Sequence, residues 1–169
     1  MSRFPDGHRD AVHIRPATAA DRDAVLAIRT AAIRTSTSLW IDTVPAPEEH
    51  AAWFDGRVAS GALIVAAVTA PDRPAPSADG AGEDVLGFAS FGPLRPYDGY
   101  RYTAEDTVHL RHDALGRGIG RALLEALIVR ARDAGMHSMI GMIEASNAAS
   151  IGLHERVGFQ QVGRIPQAG

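Results

Sequence analysis

The chain has 169 residues, 46% of them hydrophobic, which is enough for one ordinary domain (1–169) with a substantial core. It contains no cysteine, so disulfides, thiolate catalysis and cysteine-ligated metals are excluded. A net charge of -3 with 22% charged residues argues against a nucleic-acid-binding surface as the main role. Of the seven histidines none stands in an H-E-x-x-H or comparable ligand spacing, so no metal is predicted. The start, Met1 to Asp10, is polar, reads as a flexible tail and lacks the apolar core of a signal peptide. No apolar run reaches membrane-spanning length. The expectation is a cytoplasmic protein without membrane attachment.

In chain order, Val12 to Arg15 reads as a short strand. Thr18 and Asp21 form a capping-box pattern ahead of a helix to about Arg34, on which Val25, Ile28 and Ala32 recur at helical spacing. Thr35 to Ser38 break that helix. Pro47 offers a first-turn proline, with Glu48 and Glu49 where the dipole favours acids, for a second helix through Trp53 and Phe54 to about Ala59. Ala62 to Val68 is a continuous apolar run, hence a buried strand. Residues 70–84, rich in Pro, Ala, Gly and Asp, read as a mobile hairpin connection. Val85 to Phe91 and Thr103 to Leu110 are further strands. A helix from Ile119 carries Leu123, Leu124 and Leu127 and stops at Gly135. Ser138 to Ile143 is a strand, Asn147 caps a short helix ending at Gly158, and Phe159 to Gly163 begins a last strand. The order β-α-α-β-β-β-α-β-α-β is a mixed α/β (α+β) pattern, with hairpins early and a crossover late.

The most informative stretch joins the Thr103–Leu110 strand to the helix after it. Gly116, Gly118 and Gly120 stand at alternate positions, so the backbone can turn tightly with no Cβ in the way. The free N–H groups of the following first helical turn then converge, and with the helix dipole they favour an anion. Arg117 and Arg121 add positive charge. A phosphate-bearing ligand is the reading, against a ligand-free glycine turn. The P-loop pattern fails, because Arg121 and Ala122 follow the last glycine. The dinucleotide pattern G-x-G-x-x-G fails as well, with Arg121 or Leu123 in its final place.

The glycine spacing resembles the pyrophosphate loop, Q/R-x-x-G-x-G/A, of the GNAT superfamily of N-acetyltransferases, and the element order is similar to theirs over essentially the whole chain. The resemblance implies the GNAT fold, a mixed and mostly antiparallel central sheet flanked by helices, and acetyl-coenzyme A held by its diphosphate at the loop. It sharpens at three places. Tyr102-Thr-Ala-Glu105-Asp-Thr-Val-His-Leu110 resembles the Thr-x-Glu-x-Ser/Thr-Val strand of phosphinothricin and methionine sulfoximine acetyltransferases. Asn147 to Phe159 resembles their Asn…Ser-x-x-Leu-His-Glu-x-x-Gly-Phe/Tyr segment. Thr35 to Trp40, followed by Asp42, resembles the segment lining their amino-acid pocket.

That likeness implies acetyl transfer from acetyl-CoA to the amino group of a small amino acid or analogue. Glu105 is then the candidate base and His154 the candidate partner for the departing thiolate, both chemically able near neutral pH. Backbone groups of Val108, His109 and Leu110 would meet the pantetheine arm. Leu115, Gly116, Arg117, Gly118, Ile119, Gly120 and Arg121 would hold the diphosphate, with Asn147 and Ser150 also at the cofactor. Asn147 has a second reading as a plain helix cap. Arg95, Tyr97, Tyr100, Arg101 and Thr103 are candidates for the acceptor, since an arginine fork suits a carboxylate. Trp40 either walls the acceptor pocket or staples the first helix to the core.

The chain departs from the pattern in places. Leu115 stands where Gln or Arg is usual, Asp42 lies near a position often acidic in related pockets, and the usual last strand after Arg164 is lacking. A sheet edge without cover can recruit another chain, and related enzymes usually pair, so a homodimer is expected. The alternatives are acetylation of a protein or peptide, and a non-catalytic acyl-CoA-binding protein.

Overall fold

The computed structural model describes residues 12–36, 39–41, 43–69 and 82–167. The expected tail, Thr37, Ser38, Asp42 and residues 70–81 of the expected loop lie outside them. The elements are β1 (His13–Pro16), α1 (Arg22–Thr35), α2 (Pro47–Ala59), β2 (Leu63–Thr69), β3 (Glu83–Pro93), β4 (Thr103–Leu110), α3 (Ile119–Asp133), β5 (Ser138–Ile140) and α4 (Ala148–Arg156). Among the described residues the strands form one sheet in the order β1-β2-β3-β4-β5. Its first three pairings are antiparallel and β4–β5 is parallel, which makes the molecule a mixed, mostly antiparallel α+β sheet flanked by helices.

Local chemistry accounts for most boundaries. The Thr18 N–H donates to Asp21 Oδ2 at 2.7 Å, closing a 3-10 turn that leads into α1. Arg15 forks onto both Asp21 oxygens at 2.7 and 2.8 Å and reaches Glu83 at 2.6 Å, so β1, the entry to α1 and β3 are tied together. Pro47 opens α2 with Glu48 and Glu49 behind it, and left-handed Gly135 follows α3.

β2 and β3 occupy the middle of the sheet and are covered on both faces, which is why both read as nearly unbroken apolar runs. On one face α3 buries Leu123, Leu124, Leu127 and Ala131 against Ile64, Ala66 and Ala104. On the other, α1 and α2 bury Val25, Ile28 and Phe54 against Leu63, Val65 and Phe88. Each fully buried leucine or phenylalanine here contributes about 1.5–3 kcal/mol.

Three expectations are corrected. Glu83 and Asp84 are the first residues of β3, paired with Thr69 and Val68, and not loop. β5 stops at Ile140, three residues before the expected end, because the chain turns away from β4 there. Residues 159–163 form no strand. Their apolar members, Phe159 and Val162, are three apart, so no single sheet face collects them, and β5 offers only a three-residue edge.

Candidate active site

The site arises where two strands separate. β4 and β5 pair only through Thr103, Ala104 and Glu105, opposite Ser138, Met139 and Ile140. β4 continues to Leu110, while the other chain departs at Gly141. The gap is a cleft of about 1360 Å³, above the roughly 300–1,000 Å³ of most small-ligand pockets, with room for a long carrier and an acceptor. Asp106, Val108 and Leu110 line it from β4, and Gly141, Met142 and Ile143 from the departing chain. The β4 edge presents main-chain N–H and C=O groups to it, as any unpaired strand edge does.

The glycine loop closes one end. Gly116 and Gly118 have φ of 72° and 80°, the left-handed region, and Gly118 is the N-cap of α3. The first-turn amides, Ile119 to Arg121, have no intrahelical acceptor and lie at the positive end of the helix dipole. Leu115, Gly116, Gly118, Gly120 and Arg121 line the cleft. Arg121 is steadied by Glu125 at 2.8 Å. The Ile119 side chain is 3% exposed and belongs to the core, so this residue brings only its main chain; Arg117 is exposed and outside the lining. Amides, a helix N-terminus and a cationic side chain at the end of a strand-edged groove fit a diphosphate with an amide-bearing arm.

Glu105 lines the cleft where the strands part. Burial raises its carboxyl above the ordinary range, Arg95 and Arg57 pull it back, and Asp106 adds to the rise. Arg57 is held over β3 by donating to the Phe91 carbonyl at 2.8 Å. On the same face His109, tilted against Phe88, is driven down to about 4 by burial and by the charge of Arg29, which keeps its ring neutral near neutral pH.

Side chains alternate along a strand, so Asp106 points to the opposite face from Glu105. There it meets His154 of α4, with Nε2 3.0 Å from Asp106 Oδ2 and Nδ1 2.8 Å from the Ser150 carbonyl oxygen. Both side chains are buried, and both line the cleft. Burial opposes the charged imidazole, but the Asp106 contact and the Ser150 carbonyl outweigh it, and His154 titrates above its ordinary value. Asn147 Oδ1 accepts from the Ser150 N–H at 3.0 Å, capping α4 at the cleft wall.

The structure thus brings Glu105, His154, Val108, His109, Leu110, Leu115, Gly116, Gly118, Gly120, Arg121, Asn147, Ser150 and Trp40 to one cleft, and leaves Arg117 and the Ile119 side chain out of its lining. Trp40 is 45% exposed with φ 53°. Arg95, Tyr97, Tyr100, Arg101 and Thr103 are not in its lining. Arg95 still acts on Glu105 through its charge, whereas Arg101 donates to the Asp98 carbonyl at 2.9 Å and stacks over Tyr102. Sequence reading missed Asp106, Gly141 and Arg57. One signal was present: Asp106 falls between Ala104 and Val108 on the core-facing parity of β4, where an acid requires a buried partner. Among the described residues no group of three or more His, Cys, Asp or Glu side chains is placed to hold a metal, and no helix is long and apolar enough to cross a membrane.

Comparison with known proteins places this geometry. Residues 40–159 match the acetyltransferase (GNAT) family. An L-methionine sulfoximine/L-methionine sulfone acetyltransferase of Pseudomonas paraeruginosa is 45% identical over 92% of this chain and 84% of its own length. A protein from Salmonella typhimurium, solved with its cofactor acetyl-CoA, superposes with a TM-score of 0.81 at 36% identity, covering 94% of this chain and 85% of that one. A phosphinothricin acetyltransferase from Sinorhizobium meliloti, solved with acetyl-CoA, gives 0.75 at 30% identity over 90% and 76%. Glycine loop, splayed strands and likeness over nearly the whole length agree, and the chain belongs to the GNAT family of acetyltransferases.

Proposed function

We propose that this protein transfers the acetyl group of acetyl-CoA to the amino group of a small amino acid or analogue of the methionine sulfoximine and phosphinothricin kind. The observation that carries the reading is the cleft between β4 and β5, with an anion-binding helix start at one end and a carboxylate of raised pKa where the strands part. Acetyl-CoA supplies the activated acyl group as a thioester. The first-turn amides of α3 and Arg121 take the diphosphate, and the β4 edge from Val108 to Leu110 takes the arm. Asn147 and Ser150 border the same channel. Glu105 accepts a proton from the acceptor ammonium, directly or through water, and the freed nitrogen attacks the acetyl carbon. Its raised pKa makes Glu105 a stronger base than an exposed carboxylate. In this proposal Arg95, whose charge acts on Glu105 from outside the cleft lining, meets the acceptor's carboxylate, while Trp40 and the apolar face of α1 at Ala27 and Ala31 wall the acceptor side.

Thiol release measured with acetyl-CoA against a panel of amines tests this reading. Methionine sulfoximine, methionine sulfone and phosphinothricin should turn over at kcat/KM at least tenfold above short peptides. Preference for peptides would replace the acceptor class, and binding of acetyl-CoA without release on any amine would remove the catalytic reading.

The enzyme acts as a cytoplasmic homodimer in this proposal. Supporting it are the three-residue edge of β5 and the exposure of Val162 (93%) and Ile165 (69%) beyond α4. Light scattering should give twice the chain mass from micromolar concentration upward; a monomer throughout would refute the dimer.

A further inference from the structure

The face of β4 that carries Glu105 also meets an excess of positive charge. Arg29 of α1 is 8% exposed, and its guanidinium lies 4.5 Å over the ring of Trp53 from α2. Its Nη1 is buried without a hydrogen-bond partner, and among the described residues no carboxylate pairs with it. A guanidinium keeps its proton even when desolvated, so this charge is present and uncompensated. It also reaches His50 of α2 and His109 of β4, adding to burial in pushing both imidazoles below their ordinary range. Each of these rings has a buried Nε2 without a partner. Arg57 stands near enough to Arg29 for the two cations to repel.

Opposing charge is scarce here. Arg95 and Arg57 both act on Glu105, so with Arg29 three cations meet one carboxylate on this side of the strand. The other acids of the cleft lining are engaged: Asp84 with Arg111 at 2.7 Å, Asp106 with His154 on the opposite face, and Glu144 with the Ser146 hydroxyl. Arg29 lies outside the lining, but His109 is in it, and α1 places Ala24, Ala27 and Ala31 along the same wall. These methyl groups leave room for an acceptor side chain to run along α1 toward His109. The acceptor side of the cleft therefore carries a positive field from charges that protein walls screen poorly.

We propose that Arg29 is a specificity-determining residue: through its unpaired charge behind His109 it selects acceptors whose side chain ends in an acid over isosteres whose side chain is neutral. This rests on the transferase reading above and narrows it. Arg29 touches no reacting atom. An amino acid acceptor already carries one carboxylate, balanced by its ammonium. A second acidic group makes the molecule a net anion, which the field draws into the cleft, and a neutral side chain gives it nothing to act on. An uncompensated buried cation also costs stability, and an anionic acceptor nearby offsets that cost.

Phosphinothricin and methionine sulfone make the test, because they differ by one charge and very little in shape. The first ends in a methylphosphinate anion, the second in a neutral methylsulfonyl group of the same tetrahedral form. Wild-type kcat/KM, followed by thiol release, should be about tenfold higher or more for phosphinothricin. Arg29→Met keeps an unbranched stem over Trp53 and removes the charge. The ratio between the two acceptors should then fall about tenfold, with kcat/KM for methionine sulfone held within about twofold. The melting temperature should be held or raised, since an unpaired buried charge is gone. Comparing ratios cancels the intrinsic reactivities of the two amines. A wild-type enzyme that uses methionine sulfone as well as or better than phosphinothricin overturns the proposal, and this arm needs no variant to fold. An unmoved ratio in Arg29→Met, or a lower melting temperature with both acceptors impaired alike, makes Arg29 a structural residue and also overturns it. Acetyl-CoA bound with no thiol released on either acceptor overturns the transferase reading, and this inference with it.

Discussion

Glu105→Gln should lower kcat by about 10²–10⁴-fold and leave acetyl-CoA affinity nearly unchanged. The substitution keeps the size and hydrogen-bonding capacity of the side chain but cannot accept the ammonium proton. Glu105 sits on β4 opposite Gly92 of β3 and Ile140 of β5, so neither backbone ladder needs its carboxylate. Burial raises its pKa, with Arg95 and Arg57 in opposition, and the active form is the carboxylate. The wild-type rate should therefore fall as pH drops through that raised value, and Glu105→Gln should lack this acidic limb. Steady-state kinetics between pH 5 and 9 with the best acceptor decides it. Wild-type turnover in the variant would return Glu105 to a plain strand carboxylate and leave His154 as the stronger catalytic assignment.

Gly118→Val should weaken acetyl-CoA binding by about 100-fold or more. Two effects act together. At φ 80° a β-branched residue is strained, by roughly 1–3 kcal/mol. The new side chain also enters the cleft, since a Cβ at Gly118 would meet no protein atom within 4 Å. Open space on the protein side is where the diphosphate is placed by this reading. Loss of one or two charge-assisted contacts to first-turn amides, at about 1.5–3 kcal/mol each, accounts for the expected factor, because 1.4 kcal/mol is tenfold. Calorimetric titration of acetyl-CoA measures it, and a melting curve separates strain from lost contacts. An unchanged Kd in a folded Gly118→Val protein would move the diphosphate elsewhere.

Much of this molecule is determined by short-range sequence. The Thr18–Asp21 box, Pro47 with its two glutamates, the apolar run of β2, the leucines of α3 and the Asn147 cap each act within a few residues, and each forms where the sequence puts it. The glycine loop is equally local, because its left-handed φ values follow from residues without a Cβ. These signals, with the likeness of the Glu105 and Asn147–Phe159 segments, were enough for the fold and the transferase family.

Other features depend on which strands meet and where they separate. Nothing local marks Ile140 as the last paired residue of β5; the split with β4 is a property of two chains, and it makes the cleft. Residues 159–163 carry a β-branched valine and follow a glycine, yet they find no edge long enough to pair with. The alternation of β4 separates Glu105 from Asp106, and packing of α4 against that strand brings His154 to the second of them. In the sequence the two acids are neighbours with similar prospects. The sheet makes one a half-buried carboxylate under the charges of Arg95 and Arg57 and the other a fully buried partner of histidine, because only the tertiary structure decides how much water each charge loses.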